Sequence, residues 1–246
     1  MKYLSAFVVA LFLSNNTAMA YKVDDNFAER KVTLADAHKK INESARIFKE
    51  IMDNPAQAIP SQLLKEAEGI VIIPDLIKVG FGIGGKVGRG LIVIRDNDGQ
   101  WSSPAFVSLI GGSIGWQVGA QSSDIILVFK TRDSVERVIT GKFTLGADVG
   151  VAAGPVGGNA KVDLESDIYS YSRSRGLFAG LTLDGSVLQI DHEANQGLYK
   201  EKVSTADIFL GNTKSSSSEV RKFKRALHKH TKRKGIFKLD VPTGTQ

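Results

Sequence analysis

Between residues 34 and 52 apolar side chains recur every three or four positions: Leu34, Ala37, Ile41, Ala45, Phe48 and Met52 share one side of a helix, with Lys39, Lys40, Glu43, Arg46 and Lys49 opposite. Thr33 followed by Asp36 supplies a capping start, and Asn54-Pro55 a stop. A second, short helix is predicted from a Ser61 cap to Glu68, ended by Gly69. The texture then changes. Of the 25 glycines, 22 lie between residues 69 and 197, interleaved with β-branched and aromatic runs at 70–73, 91–95, 105–110, 125–130, 143–151, 161–171, 177–183 and 187–190. Asn97-Asp98-Gly99, Gly154-Pro155-Val156-Gly157-Gly158 and Asp184-Gly185 read as turns between them.

Short strands separated by regular turns predict an α+β chain that is mostly β: an antiparallel, glycine-rich sheet, closed or nearly closed and barrel-like. N-terminal helices precede it and a basic helix follows. Glycine weakens individual strands, so its density here implies tight curvature or close backbone packing. One helix is expected to interrupt the sheet at 132–140, with Val135, Val138 and Ile139 on its buried side, and Ser204 or Thr205 to cap a short turn through Ile208 and Phe209.

The first 20 residues have the build of a cleavable export signal: Lys2, an apolar stretch over 3–13, polar Ser14-Asn15-Asn16-Thr17, then Ala18-Met19-Ala20. The apolar stretch is shorter than the roughly 18–20 residues of a membrane anchor. The expectation is therefore an exported protein, in the periplasm, on the envelope or secreted, whose mature chain begins near Tyr21. The division expected is 1–20 signal peptide, 21–213 folded domain with its N-terminal helices, and 214–246 basic tail. The chain has no cysteine, which excludes disulfides, thiolate metal sites and a lipidated cysteine, so any membrane contact must be non-covalent.

Net charge is +6, and it is unevenly placed. Residues 214–238 hold ten Lys or Arg against Glu219 alone, while 21–213 hold 21 basic and 24 acidic residues. Val220, Phe223 and Leu227 among Arg221, Lys222, Lys224, Arg225 and Lys229, followed by Lys232, Arg233 and Lys234, predict a short basic amphipathic helix. A polycation of this kind meets phosphate-bearing membrane or nucleic acid, or is a solvated helix face; export argues against nucleic acid.

Two stretches imitate catalytic motifs. Residues 80–86 have the glycine spacing of a phosphate-cradling loop, but Val87 replaces the hydroxyl residue that holds magnesium and a strand-like run follows. Gly111-Gly112-Ser113-Ile114-Gly115 fits a nucleophile elbow with Asp191 and His192 downstream, yet extended, glycine-spaced sequence follows where the elbow needs a helix. A serine hydrolase using Ser113 is the less favoured alternative. Of four histidines only His228 and His230 are close, at a spacing that points them to different sides of a helix among lysines, so neither a metal nor another cofactor is expected.

Residues 59–211 resemble the SYLF domain. The resemblance is carried by Ile59-Pro60, Ala67-Glu68-Gly69-Ile70, Ile77-Lys78-Val79-Gly80-Phe81, Gly88-Arg89-Gly90 and the run from Gly99-Gln100-Trp101 to Ala105. Further on come Gly115 with Gly119, Ser123-Asp124, Leu145-Gly146 and Ala153-Gly154-Pro155-Val156-Gly157. Most specific is Tyr171-Ser172-Arg173-Ser174-Arg175-Gly176-Leu177-Phe178-Ala179-Gly180, followed by Leu183-Asp184-Gly185-Ser186. The resemblance implies a non-catalytic module that binds phospholipid head groups, phosphoinositides such as phosphatidylinositol phosphates in eukaryotic relatives, and actin filaments in some fungal ones. Only the lipid half carries over to an exported chain, with an anionic phospholipid membrane as partner. It also implies that helix 34–52 assists attachment; packing on the core is the other role open to it.

Head-group binding needs cations that reach phosphate, with apolar side chains beside them. The first candidates are Lys78, Lys86, Arg89, Arg173 and Arg175, with Phe81 and Phe178 at the lipid boundary, and the tail cations as an electrostatic second site. For each sheet cation the competing role is a solvated charge or an internal ion pair. A protein-binding or structural module of the cell envelope is the alternative function.

Overall fold

The computed structural model describes residues 32–231, apart from 97, 142, 158–164, 175–176, 181–182, 184, 201, 214 and 216; the side chains of 80–83, 113–120 and 177–180 also lie outside the description. Two helices open the fold, α1 (Leu34–Asp53) and α2 (Ser61–Glu66). Thr33 caps α1 as its sequence demands: its hydroxyl accepts from Asp36 N at 3.2 Å while the Asp36 carboxylate accepts from Thr33 N at 3.1 Å. Helix α2 ends two residues earlier than expected and starts after Pro60, which makes no side-chain cap.

Where alternating runs predict several short strands, the chain forms two very long ones, β1 (Gly69–Ile94) and β2 (Ala105–Phe129), paired antiparallel from Gly69↔Phe129 to Ile92↔Ala105. The glycine-rich stretches between the apolar runs are strand interior. The far end of this hairpin returns to its near end: Glu68 N donates to Phe129 O and Arg95 N to Glu68 O, each at 2.8 Å. Gly90 makes that return possible, because a Cβ on it would overlap the Ile72 carbonyl of the same strand.

The remaining elements are α3 (Arg132–Thr140), β3 (Phe143–Thr144), β4 (Val151–Ala153), β5 (Ile168–Ser174), β6 (Leu177–Gly180), β7 (Ser186–Ile190), α4 (His192–Tyr199), α5 (Thr205–Leu210) and α6 (Ser218–Thr231). The seven strands form one curled, half-barrel sheet in which β2 is central, flanked by β1, by β7 along one half and by β5 along the other. Pairing is antiparallel throughout except for β4 with β5. Helix α3 occupies the expected span and Ser204 caps α5. Helix α4 is an addition the sequence reading did not include; Asp191 caps it, and the buried Asn195 side chain accepts from Phe106 N at 2.7 Å, fixing it to β2.

The apolar runs of β1 and β2 are buried at successive residues, Ile70–Ile73, Leu91–Ile94 and Ile125–Phe129, which requires cover on both sheet faces. Part of that cover is α1, whose Ile41, Ile47, Phe48 and Ile51 are fully buried, and α6, whose Val220, Phe223 and Leu227 are buried beside it. The helix expected in a separate tail is therefore part of the core. Its last residue is bound tightly: Thr231 Oγ1 accepts from Trp101 Nε1 at 2.7 Å and Thr231 O accepts from Arg95 Nη2 at 2.6 Å.

The close return at Gly90 makes a sharp prediction. Gly90→Ala should lower unfolding free energy by about 2 kcal/mol or more in urea titrations followed by circular dichroism, whereas Gly112→Ala, whose added methyl meets nothing within 4 Å, should change it by less than about 0.5 kcal/mol.

Candidate membrane-contacting site

The sheet cations singled out by the sequence are placed individually, not as one cluster. Arg89 of β1 donates through Nε to Asp191, the residue that caps α4, at 2.6 Å; the pair is 14% and 9% exposed. The other oxygen of Asp191 accepts from Ala194 N at 2.9 Å, so one carboxylate both caps α4 and holds Arg89. Arg173 sits opposite Asp124 across β5 and β2, its Nε 3.1 Å from that carboxylate, and its guanidinium also pairs with Glu50 of α1. Burial pushes the Asp124 carboxyl up, partly countered by the Asp75 N–H it accepts at 3.1 Å, and burial pushes the Arg173 guanidinium down. These two arginines fulfil the internal ion-pair role and staple α4 and α1 to the sheet. They are not free to reach a phosphate.

Lys86 is 8% exposed, with its stem laid across Gly111 toward Ser186 of β7, so it too is an interior cation. Lys78 differs: half-buried on β1 opposite Gln121, it makes no ion pair within 4 Å among the described residues. Arg175 and the side chains of Phe81 and Phe178 lie outside the described residues, as do Lys232, Arg233 and Lys234.

Helix α1 has little charge to offer a membrane. Each of its basic residues, Lys39, Lys40, Arg46 and Lys49, lies beside a carboxylate of the same helix: Glu43, Glu50 or Asp53. With its apolar face in the core, the packing role is the one this helix fills.

Helix α6 combines burial and exposure differently. Val220, Phe223, Leu227 and Thr231 form its buried seam, and at 3.6 residues per turn Arg221, Lys222, Arg225 and Lys229 fall within an arc of about 100° on the opposite side. All four are exposed, and Lys222, Arg225 and Lys229 make no ion pair within 4 Å among the described residues. Acid enters this helix only at Glu219, which faces His38 of α1 at 3.9 Å. At the other end His230 packs edge-on against Phe48, and burial pushes its imidazole below the usual histidine range. The outward cations were legible in the sequence; the burial of Phe223 and Leu227 in the main core was not.

Neither enzyme-like motif has its geometry. Ser113 is mid-strand in β2, opposite Gly84, and β2 runs on to Phe129 with no elbow and no following helix. Its supposed partner Asp191 is committed to Arg89 and to α4. Residues 80–86 are mid-strand in β1, without a helix N-terminus to hold phosphate. No helix among the described residues is long and apolar enough to cross a membrane.

Helix α6 thus lies on the curled sheet with a cationic face outward. Residues 110–230, from mid-β2 to the last turn of α6, match the family described as "Ysc84: Las17-binding protein actin regulator". The human SH3 domain-containing YSC84-like protein 1 is 34% identical over 182 residues, covering 71% of this chain and 53% of that protein. LAS seventeen-binding protein 3 of Saccharomyces cerevisiae is 36% identical over 162 residues, 63% of this chain and 35% of its own, and Protein YSC84 of the same yeast is 35% identical over 165 residues. The chain belongs to this family, the Ysc84 or SYLF domains, and spans between about a third and a half of these relatives.

The two kinds of cation should respond differently to removal. Arg89→Leu leaves the Asp191 carboxylate without its partner and should cost about 2–4 kcal/mol of stability, while Lys222→Ala should stay within about 0.5 kcal/mol in the same denaturation assay.

Proposed function

We propose that the protein is a non-catalytic module that binds anionic phospholipid surfaces from outside the cytoplasm, through the outward face of α6. The observation that carries this reading is the separation of the helix into a buried seam and an opposed row of Arg221, Lys222, Arg225 and Lys229, followed in sequence by Lys232, Arg233 and Lys234. Each Lys or Arg near an anionic bilayer contributes about 1 kcal/mol, so Lys222, Arg225 and Lys229 alone supply an attraction of roughly 3 kcal/mol. Because α6 is anchored by packing, these charges are presented on a fixed face. The attraction should fall with salt, since it acts within about 8–10 Å.

A second reading comes from the relatives, whose family description names Las17 binding and actin regulation: a protein could dock on the same face. Lipid is preferred because the exposed cations of α6 recognise phosphate without demanding a matched protein surface.

Vesicle sedimentation discriminates. The wild-type chain should pellet with vesicles of phosphatidylcholine and phosphatidylglycerol and stay in solution with phosphatidylcholine alone; reversing Lys222, Arg225 and Lys229 to Glu should weaken binding at least 100-fold. Binding that ignores both the reversal and 0.5 M salt, or indifference to anionic lipid, would overturn the reading. Export is checked separately: mass spectrometry of the protein from a bacterial envelope or periplasmic fraction should find a chain beginning near Tyr21, and a retained residue 1–20 segment in the cytoplasm would refute it.

A further inference from the structure

The cationic row of α6 continues into a cleft. Its walls are the connection between β1 and β2, the end of α5 and the first turns of α6, and it encloses about 340 Å³, a volume that suits a small ligand. Arg221 belongs to both features: it stands in the outward row and lines the cleft, with the half-buried Lys224 one turn on.

The floor is apolar and closed. Trp101, Phe209 and Val220 are 2%, 5% and 3% exposed, and the Arg95 guanidinium lies over the Trp101 ring, 4.3 Å from its centroid. The Ser102 hydroxyl is already committed, donating to Ser103 O at 2.9 Å and accepting from Ile94 N at 3.1 Å. The polar partners a ligand would meet are therefore on the walls: Arg221 and Lys224 on α6, Asp96 and Gln100 on the connection. Asp96 is set in place by its own turn, since one carboxylate oxygen accepts from Asp98 N at 3.0 Å and from Gln100 N at 2.8 Å. Its other oxygen can accept from a ligand hydroxyl. Leu210 also lines the cleft, and at 75% it is the most exposed large apolar side chain among the described residues.

These features select among head groups. Two cations against one carboxylate leave the lining with one positive charge in excess, which matches a single phosphodiester. A head group that carries an ammonium would bring another cation up to Arg221 and Lys224. A quaternary ammonium needs open aromatic faces, and the two aromatic side chains of the cleft are shut into its floor. An uncharged polyol fits, because its hydroxyls can donate to Asp96 and can both donate to and accept from the Gln100 amide. Leu210 then meets the boundary between head groups and acyl chains.

We infer that this cleft takes the head group of an anionic phospholipid whose phosphodiester carries an uncharged polyol, glycerol being the simplest. Arg221 and Lys224 hold the phosphate, and Asp96 and Gln100 hold the hydroxyls. The inference rests on the lipid-binding reading of α6 and adds what that face selects: the row draws the chain to negative charge of any kind, and the cleft discriminates.

Two anionic lipids of equal net charge separate these contributions. The full chain is sedimented with phosphatidylcholine vesicles holding the same mole fraction of either phosphatidylglycerol or phosphatidylserine. The wild-type chain should bind the phosphatidylglycerol vesicles about fivefold more tightly, the worth of roughly one hydrogen bond. Gln100→Ala and Lys224→Ala, each checked for its fold by circular dichroism, should bring that ratio close to parity. In calorimetry, glycerophosphoglycerol alone should bind the wild-type chain where inorganic phosphate at the same concentration does not. Equal binding to the two lipids would overturn the selectivity of the cleft and leave the electrostatic reading standing; pelleting with neither would overturn both. A preference that survives both substitutions would put the selection elsewhere and overturn the inference. Binding of glycerophosphoglycerol without pelleting would assign the cleft to a free phosphodiester and overturn its membrane source.

Discussion

Arg95 stands at the end of β1 with 1% of its surface exposed, and its guanidinium is directed at backbone carbonyls from three separate parts of the chain. Ala67 O at the end of α2 accepts at 2.8 Å, Gly99 O in the hairpin connection at 2.5 Å, and Thr231 O at the end of α6 at 2.6 Å. Its carbon lies 4.3 Å from the centroid of the Trp101 ring, which in turn donates to the Thr231 hydroxyl. Helix C-termini present unsatisfied carbonyls and the negative end of a dipole, so a buried cation between two of them answers both needs. Without it, the ends of α2 and α6 would each leave a carbonyl buried and unpaired. The cationic face of α6 is held in place because its far end is fastened here.

Around that anchor, curvature follows from glycine. A strand as long as β1 can serve two places at once only if its halves pass closely, and Gly90 beside Ile72 removes the side chain that would prevent it.

The helices were legible from local signals. The Thr33–Asp36 cap, the Arg132–Thr140 amphipathic span and the alternation of apolar and basic residues in α6 depend on neighbours within a turn or two, and each is where the periodicity puts it. The long strands were read as fragments because glycine interrupts the apolar runs, and nothing local distinguishes a glycine inside a bent strand from one in a turn. The sheet cations show a different limit. Arg89 meets Asp191 across 102 positions of sequence, and Arg173 meets Glu50 from another layer of the fold, so free charge and internal ion pair look alike in a linear reading. Helix α4 was hidden for the same reason: its cap, Asp191, had a second claim as a catalytic partner, and its tie to β2 through Asn195 is again non-local.

The bond from Arg95 to Thr231 spans 136 positions, and this has a consequence for biogenesis. A ribosome emits the guanidinium long before the carbonyl that completes its coordination, so the nascent chain carries an unsealed cation and an uncovered seam along α1 until α6 emerges. Quality control therefore has a simple criterion at this site. A message cut short upstream of residue 218 yields a product with an open core, which proteases and chaperones can distinguish from the finished molecule.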